Sequence, residues 1–90
     1  MSDSKDKELL DFPCDFPIKM MGRDHPEFRK MALALIERHA GQIKDDAVRT
    51  AMSRKGNFLS ITITITATSQ QQLDDIYRDL TEHDEILVAL

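Results

Sequence analysis

Leu59-Ser60-Ile61-Thr62-Ile63-Thr64-Ile65-Thr66-Ala67 alternates without a break between apolar and hydroxyl-bearing side chains. Successive side chains of a β-strand point to opposite faces. Leu59, Ile61, Ile63, Ile65 and Ala67 therefore share one face, and Ser60, Thr62, Thr64 and Thr66 the other. The first set has to be buried, whereas a Thr-rich face is a compromise between β-propensity and solubility. This is the strongest strand in the chain, and the elements around it must cover one of its faces.

Working upstream, Gly56-Asn57 separates this run from a second, weaker alternation. There Val48, Thr50 and Met52 interleave with Ala47, Arg49, Ala51 and Ser53. Two such runs about a Gly-Asn pair predict a two-residue hairpin. Gln42 to Asp46 reads as loop. Before it, Phe28, Met31, Ala32, Leu35, Ile36 and His39 recur at the i, i+3, i+4 spacing of one buried helical stripe. Asp24 with Glu27 three residues later predicts a capping box, with Pro26 where a missing N–H costs nothing and Gly41 as the stop. Earlier still, Phe16, Ile18 and Met20 alternate with Pro17, Lys19 and Met21, a strand ending at Gly22. Proline cannot donate to a ladder, so Pro17 is expected near that strand's start. Leu9, Leu10 and Phe12 are expected to tuck onto the domain through one turn that Pro13 stops.

Downstream, Ser69 and Gln72 form a second capping signature. The helix it opens carries Leu73, Ile76, Tyr77 and Leu80 on one stripe and ends at His83 and Asp84. Ile86 to Leu90 reads as a last short strand. The order is β-α-β-β-α-β, the ferredoxin-like plan of an α+β sandwich. Right-handed crossovers then give a four-stranded antiparallel sheet in order 4-1-3-2 with two helices on one face. The expected core comprises Ile61, Ile63, Ile65, Phe16, Ile18, Val48 and Val88. The opposite, uncovered face is expected to carry Thr62, Thr64, Thr66, Lys19, Met21, Arg49, Ala51, Leu87 and Ala89. Residues 1–9, polar and without period, read as a flexible N-terminal tail ahead of a single domain over 10–90.

Ninety residues suit one domain, and 41% hydrophobic with 31% charged residues is too apolar for a disordered chain. Twelve basic against sixteen acidic side chains give a net charge of −4, which speaks against a protein that lives on phosphate backbones. That mild total conceals a division. Residues 16–55 hold nine basic and five acidic side chains, whereas residues 56–90 hold one basic and six acidic. The chain therefore leaves room for a local basic patch and for docking by opposite charge. One cysteine, Cys14, excludes a disulfide framework and a CxxC motif. No apolar run is long enough to span a membrane, and the first eight residues offer no export signal. These readings together imply a cytoplasmic protein.

No catalytic constellation stands out. Cys14 has no basic neighbour in sequence, and His25, His39 and His83 lack metal-binding spacing, so neither a metal nor another cofactor is expected. Lys55-Gly56-Asn57-Phe58 keeps the Lys-Gly start of an RNA-recognition strand, but Thr62 and Thr64 supply no stacking platform. Gly22 reads as a turn, or else as a point where a ligand can approach the backbone closely. Three loops are expected to meet at one end of the sheet: Gly22 to His25, Arg54 to Asn57 and Thr81 to Asp84.

Phe12-Pro13-Cys14-Asp15-Phe16-Pro17-Ile18-Lys19-Met20-Met21-Gly22 resembles the opening of the YbeD-like bacterial proteins, the uncharacterised UPF0250 family. Ser53-Arg54-Lys55-Gly56-Asn57-Phe58 is similar to their Ser-x-Lys-Gly-Asn-aromatic hairpin, and Gln72-Leu73, Ile76-Tyr77 and Leu80 also match. The resemblance implies a ferredoxin-like fold akin to the ACT regulatory domains, and a link to lipoate metabolism through neighbouring genes. It supplies no catalytic residues. Lys19, Gly22, Ser53, Lys55, Gly56 and Asn57 match the family pattern, and with Arg23 and Arg54 they form the candidate ligand- or partner-binding set. The expected function is a non-enzymatic regulatory or interaction domain that takes a protein partner or a small ligand, with a homodimer also open. The alternative is RNA binding by the basic loop end.

Overall fold

The computed structural model describes residues 11–53 and 55–89. Arg54 and the expected tail over residues 1–9 lie outside them, as do Leu9 and Leu10. The elements follow in the order β1 (Cys14–Arg23), α1 (Pro26–Ala40), a 3-10 turn (Asp45–Ala47), β2 (Val48–Met52), β3 (Phe58–Ala67), α2 (Gln70–Thr81) and β4 (Val88–Ala89). The sheet order is β2-β3-β1-β4, and every pairing is antiparallel. β1 and β3 form its centre, in register over ten residue pairs from Cys14 opposite Ala67 to Arg23 opposite Phe58.

The alternation in β3 does what its pattern requires. Ile61, Ile63, Ile65 and Ala67 are buried, as are Ile18 and Met20 of β1. Both helices pack on this side, α1 through Phe28, Ala32, Leu35 and Ile36, α2 through Leu73, Ile76 and Leu80. Each such side chain contributes about 1.5–3 kcal/mol when fully buried, most of it offset by chain entropy. The helices are tied to each other at the surface. His39 Nε2 lies 2.5 Å from Asp79 Oδ2, and Gln72 Nε2 donates to the His39 carbonyl at 3.0 Å.

Several expectations need correction. β1 begins two residues earlier than Phe16 and continues through Gly22 to Arg23. Pro17 is consequently interior to a central strand. It is tolerated because, among the described residues, β4 pairs with β1 only at Met20 and Met21 and none stands beside β1 on that side at Pro17. The first helix is capped by His25, whose Nδ1 accepts from the Glu27 N–H at 3.1 Å, not by Asp24. Asp24 is instead drawn to the neighbouring loop, its N–H donating to the Asn57 carbonyl at 3.1 Å. The second capping signature holds for Ser69, whose Oγ accepts from the Gln72 N–H. The return bond from Gln72 goes to the Thr68 N–H at 2.7 Å.

The last strand departs most. Leu90 lies outside the described residues, and among those described the expected run from Ile86 is a two-residue ladder, Val88–Ala89, beside three longer strands. Its register sets Ala89 opposite Met20 and Val88 opposite Met21, one residue out of phase with the expected faces. Ala89 accordingly packs against the core rather than on the open face, and Ile86 is buried beside it. The shift arises because the Leu87 N–H already bonds the Met21 carbonyl at 2.8 Å as the chain enters the sheet.

Candidate functional site

With both helices on one side, the described residues leave the other side of the sheet uncovered. Its rows follow from the register. Arg49, Thr62 and Lys19 lie across β2, β3 and β1, the next row holds Ala51, Ser60 and Met21, and Phe58 faces Arg23 at the end. Lys19, Arg23 and Arg49 are exposed. None of them is in an ion pair among the described residues, whose pairs are His39–Asp79 and Arg78–Asp75. Asp15 is the one acidic side chain of β1 on this face. Met21 and Phe58 remain 37% and 38% exposed. The face is therefore cationic with apolar side chains set among the cations, on a protein of net charge −4.

The loop end is built around the connection between β2 and β3. The expected two-residue hairpin is a wider loop over residues 53–57. Ser53 closes it, its N–H donating to the Phe58 carbonyl at 2.9 Å while its Oγ accepts from the Phe58 N–H at 3.1 Å. Gly56 returns its N–H to the Ser53 carbonyl at 2.9 Å with φ of +74°, a left-handed conformation that costs glycine little. Lys55 and Asn57 are exposed, and the Asn57 carbonyl is the acceptor that binds this loop to Asp24. Arg54 lies outside the described residues.

Gly22 has a different role from either reading of its sequence position. It sits inside β1, buried, opposite Leu59. A β-carbon there would lie 2.6 Å from the Glu85 carbonyl oxygen and 2.8 Å from the Phe28 ring. The space beside it is occupied by the protein itself. The first two expected loops are joined here by the Asp24–Asn57 bond; Glu85, just after the third, approaches Gly22, while Glu82 and His83 of that third loop lie beside Met31 and Leu35 of α1.

Of the candidate residues, Arg23, Ser53, Lys55, Gly56 and Asn57 gather at this end. Lys19 stands four positions along β1 from Arg23, about 13 Å away on the same face. Met21, Arg49 and Phe58 belong to the same surface but were outside the candidate set. Strand parity could have found Phe58, since it is two residues from Ser60 on the Thr-bearing face. Cys14 is half-buried against the core, opposite Ala67. Among the described residues no three His, Cys, Asp or Glu side chains come together to hold a metal ion. No helix among them is long and apolar enough to cross a membrane.

Known proteins resemble the chain along its whole length. A UPF0250 protein of Paraburkholderia phytofirmans is 44% identical over 97% of this chain and 98% of its own. One from Neisseria meningitidis serogroup A is 41% identical over all of both chains, and one from Chromobacterium violaceum 43% over all of both. The solution structure of protein HP0495 from H. pylori matches with a TM-score of 0.68 over 90% of this chain and 85% of that one. Identity to HP0495 is 14%, so that likeness speaks to the fold alone. A family model described as a protein of unknown function, DUF493, matches residues 7–90. With this α+β sheet, these relatives and that match, the chain belongs to the DUF493 family, the UPF0250 proteins.

Proposed function

We propose that this chain is a ferredoxin-like, ACT-like interaction domain without catalytic activity of its own, acting in the cytoplasm on a protein partner. The observation that carries the proposal is the sheet face that the described residues leave uncovered, where Lys19, Arg23 and Arg49, in no ion pair among those residues, surround the exposed Met21 and Phe58. Apolar anchors within a charged rim suit a protein surface, and the charge selects an acidic partner. Lys55 and Asn57 extend this surface at the loop end, with Ser53 and Gly56 holding the loop in shape. The small-ligand version of an ACT-like role is less well supported, because the glycine position of β1 is filled by Phe28 and Glu85.

The resemblance implies a link to lipoate metabolism, so lipoate-attachment proteins are the first partners to try. Affinity capture with wild type and with a Lys19→Glu/Arg23→Glu/Arg49→Glu variant tests the proposal. The partner is expected to be retained by wild type and lost by the folded variant. Equal capture by both contradicts it. Amide-shift titration with amino acids, lipoate and nucleotides separately tests the small-ligand version, which requires shifts at the Gly22 and Lys55 loops.

RNA binding has one observation in its favour: Arg23 and the exposed Phe58 are cross-strand neighbours, a pair on which one base could stack. Binding of that kind weakens steeply with salt. Absence of a retarded band with single-stranded RNA at low salt removes it.

A further inference from the structure

The exposed large hydrophobics among the described residues are Met21, Met52, Phe58 and Leu87, and all four lie at the loop end of the sheet. Met52, Leu59 and Gly22 form one row across β2, β3 and β1. The β4 register, continued back by one residue, sets Leu87 beside Gly22 in the same row. Met21 and Phe58 flank this row on the open side of the sheet, whereas Met52 and Leu87 belong to the helix side at its two outer strands. The loops at this end carry unlike charges. Lys55 stands in the β2–β3 loop, Arg23 and Asp24 together at the end of β1, and Asp84 and Glu85 in the connection to β4. All five are exposed and in no ion pair among the described residues. The end of the sheet is thus cationic on its β2–β3 side, acidic on its β4 side and balanced between.

We propose that this end pairs with the same end of a second copy, across a two-fold axis perpendicular to the sheet. The sheet order β2-β3-β1-β4 decides the axis. It sets β2 of one copy opposite β4 of the other, and β3 opposite β1, with the helices of both on one side. Met52 then meets the second copy's Leu87, Phe58 meets its Met21, and Lys55 meets its Asp84 and Glu85. An axis in the plane of the sheet, running across the strands, would instead set Lys55 and Asp84 each against its own duplicate. Matched apolar side chains within a rim of opposed charges suit an isologous interface. The contact covers Met21 and Phe58, so a second copy and an acidic partner contend for them. The inference rests on the chain being an interaction domain and adds a means by which part of its open face is closed.

The test is sedimentation equilibrium of the full chain as wild type, as Lys55→Glu, as Asp84→Lys/Glu85→Lys, and as an equimolar mixture of the two variants, all checked for their fold. Wild type is expected to approach twice the mass of one chain as its concentration rises to about 1 mM. Each variant alone is expected to self-associate at least about tenfold more weakly, because the two-fold axis sets like charges together twice. The mixture is expected to regain the wild-type association, since each chain offers the charge that the other has lost. A misfolded variant could not be rescued in this way. Wild type that keeps the mass of one chain up to about 1 mM would overturn the pairing, leaving this end to an unlike protein and the acidic-partner reading intact. A mixture no heavier than its separate variants would also overturn it.

Discussion

Gly22 illustrates how a single residue's meaning depends on what the fold brings beside it. Replacing it with alanine would push a β-carbon into a backbone carbonyl and the Phe28 ring, neither of which can move without disturbing the core. The Gly22→Ala protein is expected to lose about 1–3 kcal/mol in urea unfolding. A neutral substitution would show that the close packing is not needed. Tyr77 makes a second prediction at this scale. Burial raises its phenol above the ordinary value of 10.0, so the folded chain holds that proton more tightly than the unfolded chain does. Its contribution to stability is fully present below pH 10 and is lost as pH rises through the folded-state value. The stability difference between wild type and Tyr77→Phe should therefore shrink above pH 10, and a difference constant from pH 8 to 12 would contradict the assignment. Neither role was legible in the sequence, because each depends on neighbours distant along the chain.

Among the elements, those with a complete period were legible in advance. β3 and the two helical stripes follow their spacing, since a buried face tolerates no slip in register. β2 keeps its expected place over Val48–Met52, with Val48 only half-buried and the rest exposed. The ends were less so. β4 is too short for alternation to set its phase, and the hydrogen bond from Leu87 to Met21 sets it instead. The cap of α1 went to His25 because a histidine nitrogen can accept like a carboxylate, which a rule written for Asp, Asn, Ser and Thr does not anticipate. Gln72 joins two elements: it accepts from the Thr68 N–H and donates to the His39 carbonyl at the end of α1. Gln72→Ala is expected to cost about 1–2 kcal/mol, and to raise hydrogen exchange where α1 ends and α2 begins. Unchanged exchange at both ends would mean that the bridge contributes little.

For the molecule as a whole, the division of charge seen along the sequence becomes a division in space. Lys19, Arg23 and Arg49 stand on the open sheet face, whereas Asp74, Asp75 and Asp79 belong to α2 in the layer behind it. Element order and strand parity foretold the open face and most of its side chains. They did not single out Met21, Arg49 and Phe58 as parts of one site, because only the β1–β3–β2 register brings these residues together. The central claim is that this face docks an acidic protein. It is tested most directly by the affinity of a captured, purified partner for wild type, for the Lys19→Glu/Arg23→Glu/Arg49→Glu variant, and for an Asp74→Lys control on α2. The predicted result is at least about tenfold weaker binding by the triple variant, with the control unchanged and all three proteins equally folded. Equal affinity of wild type and triple variant, or a loss confined to the α2 control, would contradict it.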